Sequence, residues 1–86
     1  MKYKVEIEKP AAKFISKLPK QDKERILAAI SKLPDEGDRK VLKGKKSKGF
    51  NRLRVGDFRI IYTVDNGLLI VRVVDAGNRG EIYKGY

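Results

Sequence analysis

Residues 2–8 alternate, with Tyr3, Val5 and Ile7 on one face and Lys4, Glu6 and Glu8 on the other. That two-residue period is the mark of a half-buried strand. Pro10 follows and suits the first turn of a helix, where its missing N–H has no partner to lose. Phe14, Ile15 and Leu18 make a short apolar stripe that Pro19 stops. Asp22 is placed to cap a second helix, whose stripe of Ile26, Leu27, Ile30 and Leu33 ends at Pro34. Split by Leu18-Pro19-Lys20-Gln21, the two helices read as a helical hairpin. Residues 35–49 hold Gly37, Gly44 and Gly49 among charges, so a loop or frayed edge is expected there.

The second half is strand-rich. Phe50 to Val55 and Phe58 to Val64 flank Gly56-Asp57, a two-residue hairpin loop in which Gly supplies positive φ. Asn66-Gly67 signals a second hairpin, and residues 68–75 make its returning strand. From Gly77 to Tyr86 the tail is short, polar and aromatic. No repeat and no second domain is visible, so residues 1–86 are expected to form a single domain. The expected fold class is α+β: an N-terminal strand, a two-helix hairpin, then an antiparallel three-strand meander, in a two-layer sandwich with the helices on one face.

Pairing across Gly56-Asp57 sets Val55 opposite Phe58, Arg54 opposite Arg59, Leu53 opposite Ile60 and Arg52 opposite Ile61. Leu53, Val55, Phe58, Ile60 and Tyr62 then share the face the helices cover. Arg52, Arg54 and Arg59 share the other. Counting back from Asn66-Gly67 sets Arg72 opposite Ile61, on the same face as the other arginines. Like charges directly opposite one another destabilise a sheet. A purely structural sheet has little reason to oppose Arg54 and Arg59, whereas an anion site does, because arginine presents a rigid fork matched to phosphate.

Charge placement strengthens that reading. The net charge is +10, and the window from Arg39 to Arg59 holds nine cations against the single anion Asp57. Residues 1–38 carry nine cations and seven acids, close to balance. A basic face with no accompanying amphipathic basic helix suits nucleic acid better than membrane. No uncharged stretch exceeds six residues, and the N-terminus lacks the apolar run of a signal peptide, so a cytoplasmic domain is expected.

The chain has no cysteine and no histidine. Disulfides, thiolate metal sites and a cysteine nucleophile are excluded, along with the usual general base. The acids are scattered, with no carboxylate cluster for a metal, and no phosphate loop or nucleophile elbow appears; no metal and no cofactor are expected. Tyr, Lys, Asp and Glu remain for acid–base work. RNA carries its own nucleophile, the 2′-hydroxyl, so cations supplying charge stabilisation and a base suffice to cut it. A tyrosine beside cations is one candidate base, since they favour its phenolate.

Arg52-Leu53-Arg54-Val55-Gly56-Asp57-Phe58-Arg59-Ile60-Ile61-Tyr62 resembles the R-x-G-x-[FY]-R-[IVL]-x-Y segment of the RelE/ParE superfamily, toxins of toxin–antitoxin pairs. Ala76-Gly77-Asn78-Arg79-Gly80-Glu81-Ile82-Tyr83 is similar to its closing G-[HKN]-R-x-x-[IV]-Y signature. Val41-Leu42-Lys43-Gly44 resembles a K-L-K/R-G stretch between the helices and the meander. The resemblance implies the toxin component of a type II system, on the RelE-like branch, acting as a metal-independent, ribosome-dependent endoribonuclease on mRNA in the ribosomal A site.

By that resemblance, Arg59 steadies the scissile phosphate, Arg79 meets leaving-group or transition-state charge, and Tyr83 activates or positions the nucleophile. Arg52 and Arg54 match the family's basic pair, and with Arg72, Lys43, Lys45, Lys46 and Lys48 they make the expected RNA-binding set. The implied partners are mRNA, the ribosome and a cognate acidic antitoxin. ParE-type relatives instead poison DNA gyrase, and a non-catalytic basic RNA-binding module is the remaining alternative. Some relatives place a histidine before the late arginine; here that position is Asn78.

Overall fold

The computed structural model describes residues 3–33, 35, 38–42 and 49–78. Strand β1 (Lys4–Ile7) leads directly into helix α1 (Lys9–Ser16), with Pro10 in its first turn. Ala11 and Ile15 are its buried positions. Helix α2 (Lys20–Ser31) follows, and here the expected cap is replaced: Pro19 stands at the N-cap and Asp22 lies in the first turn. The extended backbone of Pro19 launches the helix without a side-chain cap, and Asp22 instead faces the positive end of the helix dipole. Ile26, Ile30 and Leu33 are buried at i, i+4 and i+7, while Leu27, a turn-fraction off that line, is 41% exposed.

Four further strands follow: β2 (Asp38–Val41), β3 (Asn51–Val55), β4 (Phe58–Asp65) and β5 (Ile70–Asn78). They form one five-stranded sheet with β1, in the order β1-β5-β4-β3-β2. β1 runs parallel to β5, and every other neighbouring pair is antiparallel. The α+β class, the opening strand, the helix pair and the meander all stand as expected.

β2 occupies part of what reads as a loop. Four residues with a single aliphatic, Val41, leave no alternation to detect, and their charges suit a sheet edge. The β3–β4 register agrees pair for pair with the one counted from Gly56-Asp57. Gly56 has φ +59, the left-handed conformation that the tight loop requires.

The β4–β5 turn differs from the two-residue form expected at Asn66-Gly67. It spans four residues between Asp65 and Ile70, with Asp65 Oδ1 accepting the Leu68 N–H at 2.9 Å and Leu69 at φ 55. Arg72 therefore faces Thr63 and not Ile61. The slip is even, two residues, so every side chain as far as Val73 keeps its expected face.

The core lies between the helices and one sheet face. Leu53, Ile60, Tyr62, Val71 and Val73 pack there with Ala11, Ile15, Ile26 and Ile30. Burying each large aliphatic contributes about 1.5–3 kcal/mol. Phe14 meets Phe58 edge to face at 6.0 Å, tying α1 to the start of β4. No described helix is long and apolar enough to cross a membrane.

Candidate nucleic-acid interface

The face of the sheet away from the core is where the arginines meet. On β3, Arg52 and Arg54 alternate with the core residue Leu53, and Arg54 stands directly across from Arg59 on β4. Lys40 on β2 faces Arg52, adding a fourth cation to the same patch. Its charge is plain in the sequence; its place on this face required strand β2, which carries too few apolar positions to be read.

Arg59 is 8% exposed, the one polar or charged residue in the described interior. Its Nε and Nη1 have no hydrogen-bond partner among the described residues. The neighbouring strand presents Gly77 opposite it. Ile61, fully buried but outside the helix-side core, lies beside it on the same face. Alternation assigned Arg59 its side of the sheet and said nothing of its depth. Arg54 is exposed, and its Nε donates to the Gly56 carbonyl at 3.4 Å, which leans it along the hairpin.

Arg72 shares the face but sits two strands away, beside β1. Its Nη2 meets Glu6 Oε1 at 3.2 Å and its Nε lies 3.9 Å from Glu8 Oε1. Those carboxylates offset much of its charge locally, so the cationic part of the face is the β2–β3–β4 side. Lys43, Lys45, Lys46, Lys48, Arg79 and Tyr83 lie outside the described residues.

A bulge between Ile61 and Tyr62 in the β4–β5 pairing places one more residue on this face. Tyr62 faces Val73 and Ile61 faces Asp75, so Val74 is the extra residue. Asp75 thus stands next to Ile61 and diagonal to Arg59. The one sign in the sequence is that strict alternation from Val71 and Val73 would set this charged residue in the core, and the bulge turns it outward.

At the β2 edge, Arg39, Val41, Asn51 and Tyr62 of the opposite face, with Lys40 between the first two along the strand, line an open cleft of about 260 Å³. Burial pushes the Tyr62 phenol above its usual value of 10.0, with Arg39 and then Arg52 acting in the other direction. Among the described residues no three His, Cys, Asp or Glu side chains come together to hold a metal. What the arginine patch offers chemically is a set of donors for phosphate oxygens, one of them held in a low-dielectric setting where it acts most strongly on developing charge.

The family model described as "ParE toxin of type II toxin-antitoxin system, parDE" matches residues 5–83. Among solved structures, the toxin–antitoxin complex RelBE2 of Mycobacterium tuberculosis matches with a TM-score of 0.78 at 22% identity, covering 92% of this chain and 100% of that one. The archaeal RelE–RelB complex of Pyrococcus horikoshii matches with a TM-score of 0.72 at 27% identity, over 94% and 99% of the two chains. The isolated RelE toxin of E. coli matches at 0.68 and 23% identity, over 94% and 90%. No curated protein matches the sequence.

Proposed function

The chain belongs to the ParE toxin family of type II toxin–antitoxin systems, within the RelE/ParE superfamily, and from that premise we propose that it is a metal-independent, ribosome-dependent endoribonuclease that cuts mRNA in the A site. It is a RelE-like toxin by fold. The observation that carries the ribonuclease reading is the cationic face of β3 and β4, with Arg59 buried on it and two guanidinium nitrogens left unbonded among the described residues. A buried guanidinium without a described partner is costly, and a phosphate on this cationic face supplies the negative charge that offsets it.

In this reading Arg52, Arg54, Arg72, Lys43, Lys45, Lys46 and Lys48 hold the RNA backbone. Arg59 steadies the scissile phosphate, Arg79 meets charge on the leaving side, and Tyr83 positions the nucleophile. The 2′-oxygen attacks phosphorus, and the cations stabilise the charge that builds on the phosphate oxygens. The RelE–RelB complexes from Pyrococcus horikoshii and Methanococcus jannaschii support an antitoxin as partner. With a net charge of +10 on this chain, an acidic antitoxin covering the arginine face is the expected form of neutralisation.

One finding favours a second reading: the matching family model is that of a ParE toxin, and ParE-type toxins act on DNA gyrase. Toeprinting of translating ribosomes, run beside a gyrase cleavage assay, separates the two. New mRNA ends at the A-site codon with unaffected gyrase support the ribonuclease; intact mRNA with trapped gyrase–DNA complexes overturns it.

A further inference from the structure

Asp75 lies on the arginine face because of the β-bulge. The pairing set by the β4–β5 turn runs from Asp65↔Ile70 to Tyr62↔Val73, then skips Val74 and resumes at Ile61↔Asp75. Had it continued without the skip, Ile61 would face Val74 and Ile60 would face Asp75, turning the carboxylate into the core. The extra residue instead sends Ala76 inward, where it is buried, and Asp75 outward. Bulges recur beside active sites because they re-aim a side chain in this way.

The charged groups around Asp75 are unevenly arranged. From β4 and β3 it faces Arg59, Arg52 and Arg54, and Arg72 precedes it on its own strand. From the β1 side come Lys4, Glu6 and Glu8. Glu6 pairs with Lys4 and Arg72, and Glu8 with Arg72. Asp75 makes no ion pair among the described residues. It is half-buried, and its Oδ1 accepts the Ala76 N–H at 2.8 Å, which fixes the carboxylate and leaves Oδ2 for a ligand.

Resting on the ribonuclease reading, we propose that Asp75 is the base that takes the proton from the attacking 2′-hydroxyl of RNA. Diagonal neighbours on a sheet face lie about 7–8 Å apart. A phosphate held on this face by the exposed Arg54 and by the small part of Arg59 that reaches the surface brings its adjacent 2′-oxygen, about 3–3.5 Å from phosphorus, toward Asp75. Oδ2 accepts the 2′-hydroxyl proton as the 2′-oxygen bonds to phosphorus. The bond from phosphorus to the 5′-oxygen breaks, and the departing oxygen takes a proton from water. The products are a 2′,3′-cyclic phosphate and a 5′-hydroxyl, and Asp75 returns its proton to the hydroxide left behind. In a chain without histidine this assigns proton removal to a carboxylate and leaves Tyr83 to position the RNA.

The test is single-turnover cleavage of mRNA on programmed ribosomes, measured from acid to neutral pH with the full chain. Asp75→Asn, whose amide oxygen can still accept the Ala76 N–H, keeps the melting midpoint and ribosome affinity but cuts about 10²–10⁴-fold more slowly. Its rate no longer rises with pH on the acid side, and Asp75→Glu brings that rise back. Asp75→Ser, which can accept the same N–H, repeats the loss in a second variant. Wild-type rates in both variants overturn the assignment. So does a slow variant that keeps the wild-type pH profile, since that marks a structural role. A wild-type control that leaves the mRNA intact instead overturns the ribonuclease reading on which the assignment rests.

Discussion

A guanidinium largely shut away from water, with two nitrogens unbonded among the described residues, is held at a cost of about 1–3 kcal/mol for each unsatisfied group. Arg59→Met, similar in length and free of polar atoms, should therefore raise the unfolding free energy by about 1–3 kcal/mol while slowing cleavage by on the order of 10²–10³. Urea unfolding of the two proteins measures it; a less stable Met variant means that the arginine is part of the packing and not a stored binding site. Tyr62 is the second residue whose setting has a measurable sign. Its phenol is raised by burial, so the un-ionised form is favoured in the fold, and that contribution is complete below 10.0 and lost as pH climbs through the higher folded value. Stability should fall over that alkaline window more steeply in wild type than in Tyr62→Phe, followed by urea midpoints at stepped pH. The sides taken by Arg52, Arg54, Arg59 and Arg72 were legible from alternation alone. The depth of Arg59 and the pairing of Arg72 with Glu6 and Glu8 were not, because depth and partners depend on neighbouring strands brought in from far along the chain.

At the scale of elements, the β3–β4 hairpin positions the opposed Arg54 and Arg59, and its loop is pinned from above by α2. A Cβ on Gly56 would lie 2.9 Å from Arg25 Nη2, and Gly56 sits at φ +59. Gly56→Ala should cost about 1–2 kcal/mol, chiefly from the left-handed backbone. Arg25→Ala in that background removes the clash and should recover only a part. Full recovery in the double variant would show that the backbone strain is negligible. This hairpin was readable pair by pair, since a Gly at a two-residue loop leaves one register open. The next one was misread at its tip: Asp65 accepts the Leu68 N–H and draws the turn out to four residues, a local preference that competes with the Asn-Gly form. β2 was missed for want of apolar positions. The bulge at Val74 left one sign: strict alternation from Val71 and Val73 sets the charged Asp75 on the core side, and the three-residue step from Val73 to Ala76 relieves that.

Over the whole molecule, two layers and an antiparallel meander followed from the order of strand and helix patterns, whereas the parallel β1–β5 pairing depends on how the helix pair carries the chain back over the sheet. A net charge of +10 makes binding to RNA strongly salt-dependent. Lys40→Ala should lower the slope of log affinity against log salt by about one unit, and Arg72→Ala by less, because Glu6 and Glu8 already offset that guanidinium. Equal slopes for the two variants would show that those ion pairs open on binding. The central claim is that the arginine face does chemistry as well as attract a polyanion, and the most direct measurement is the single-turnover cleavage rate of Arg59→Ala on programmed ribosomes, taken together with its ribosome affinity. The predicted result is a rate lower by on the order of 10²–10³ with affinity nearly unchanged, as for loss of one donor aimed at transition-state charge. A rate equal to wild type, or a loss accounted for entirely by weaker binding, would contradict it.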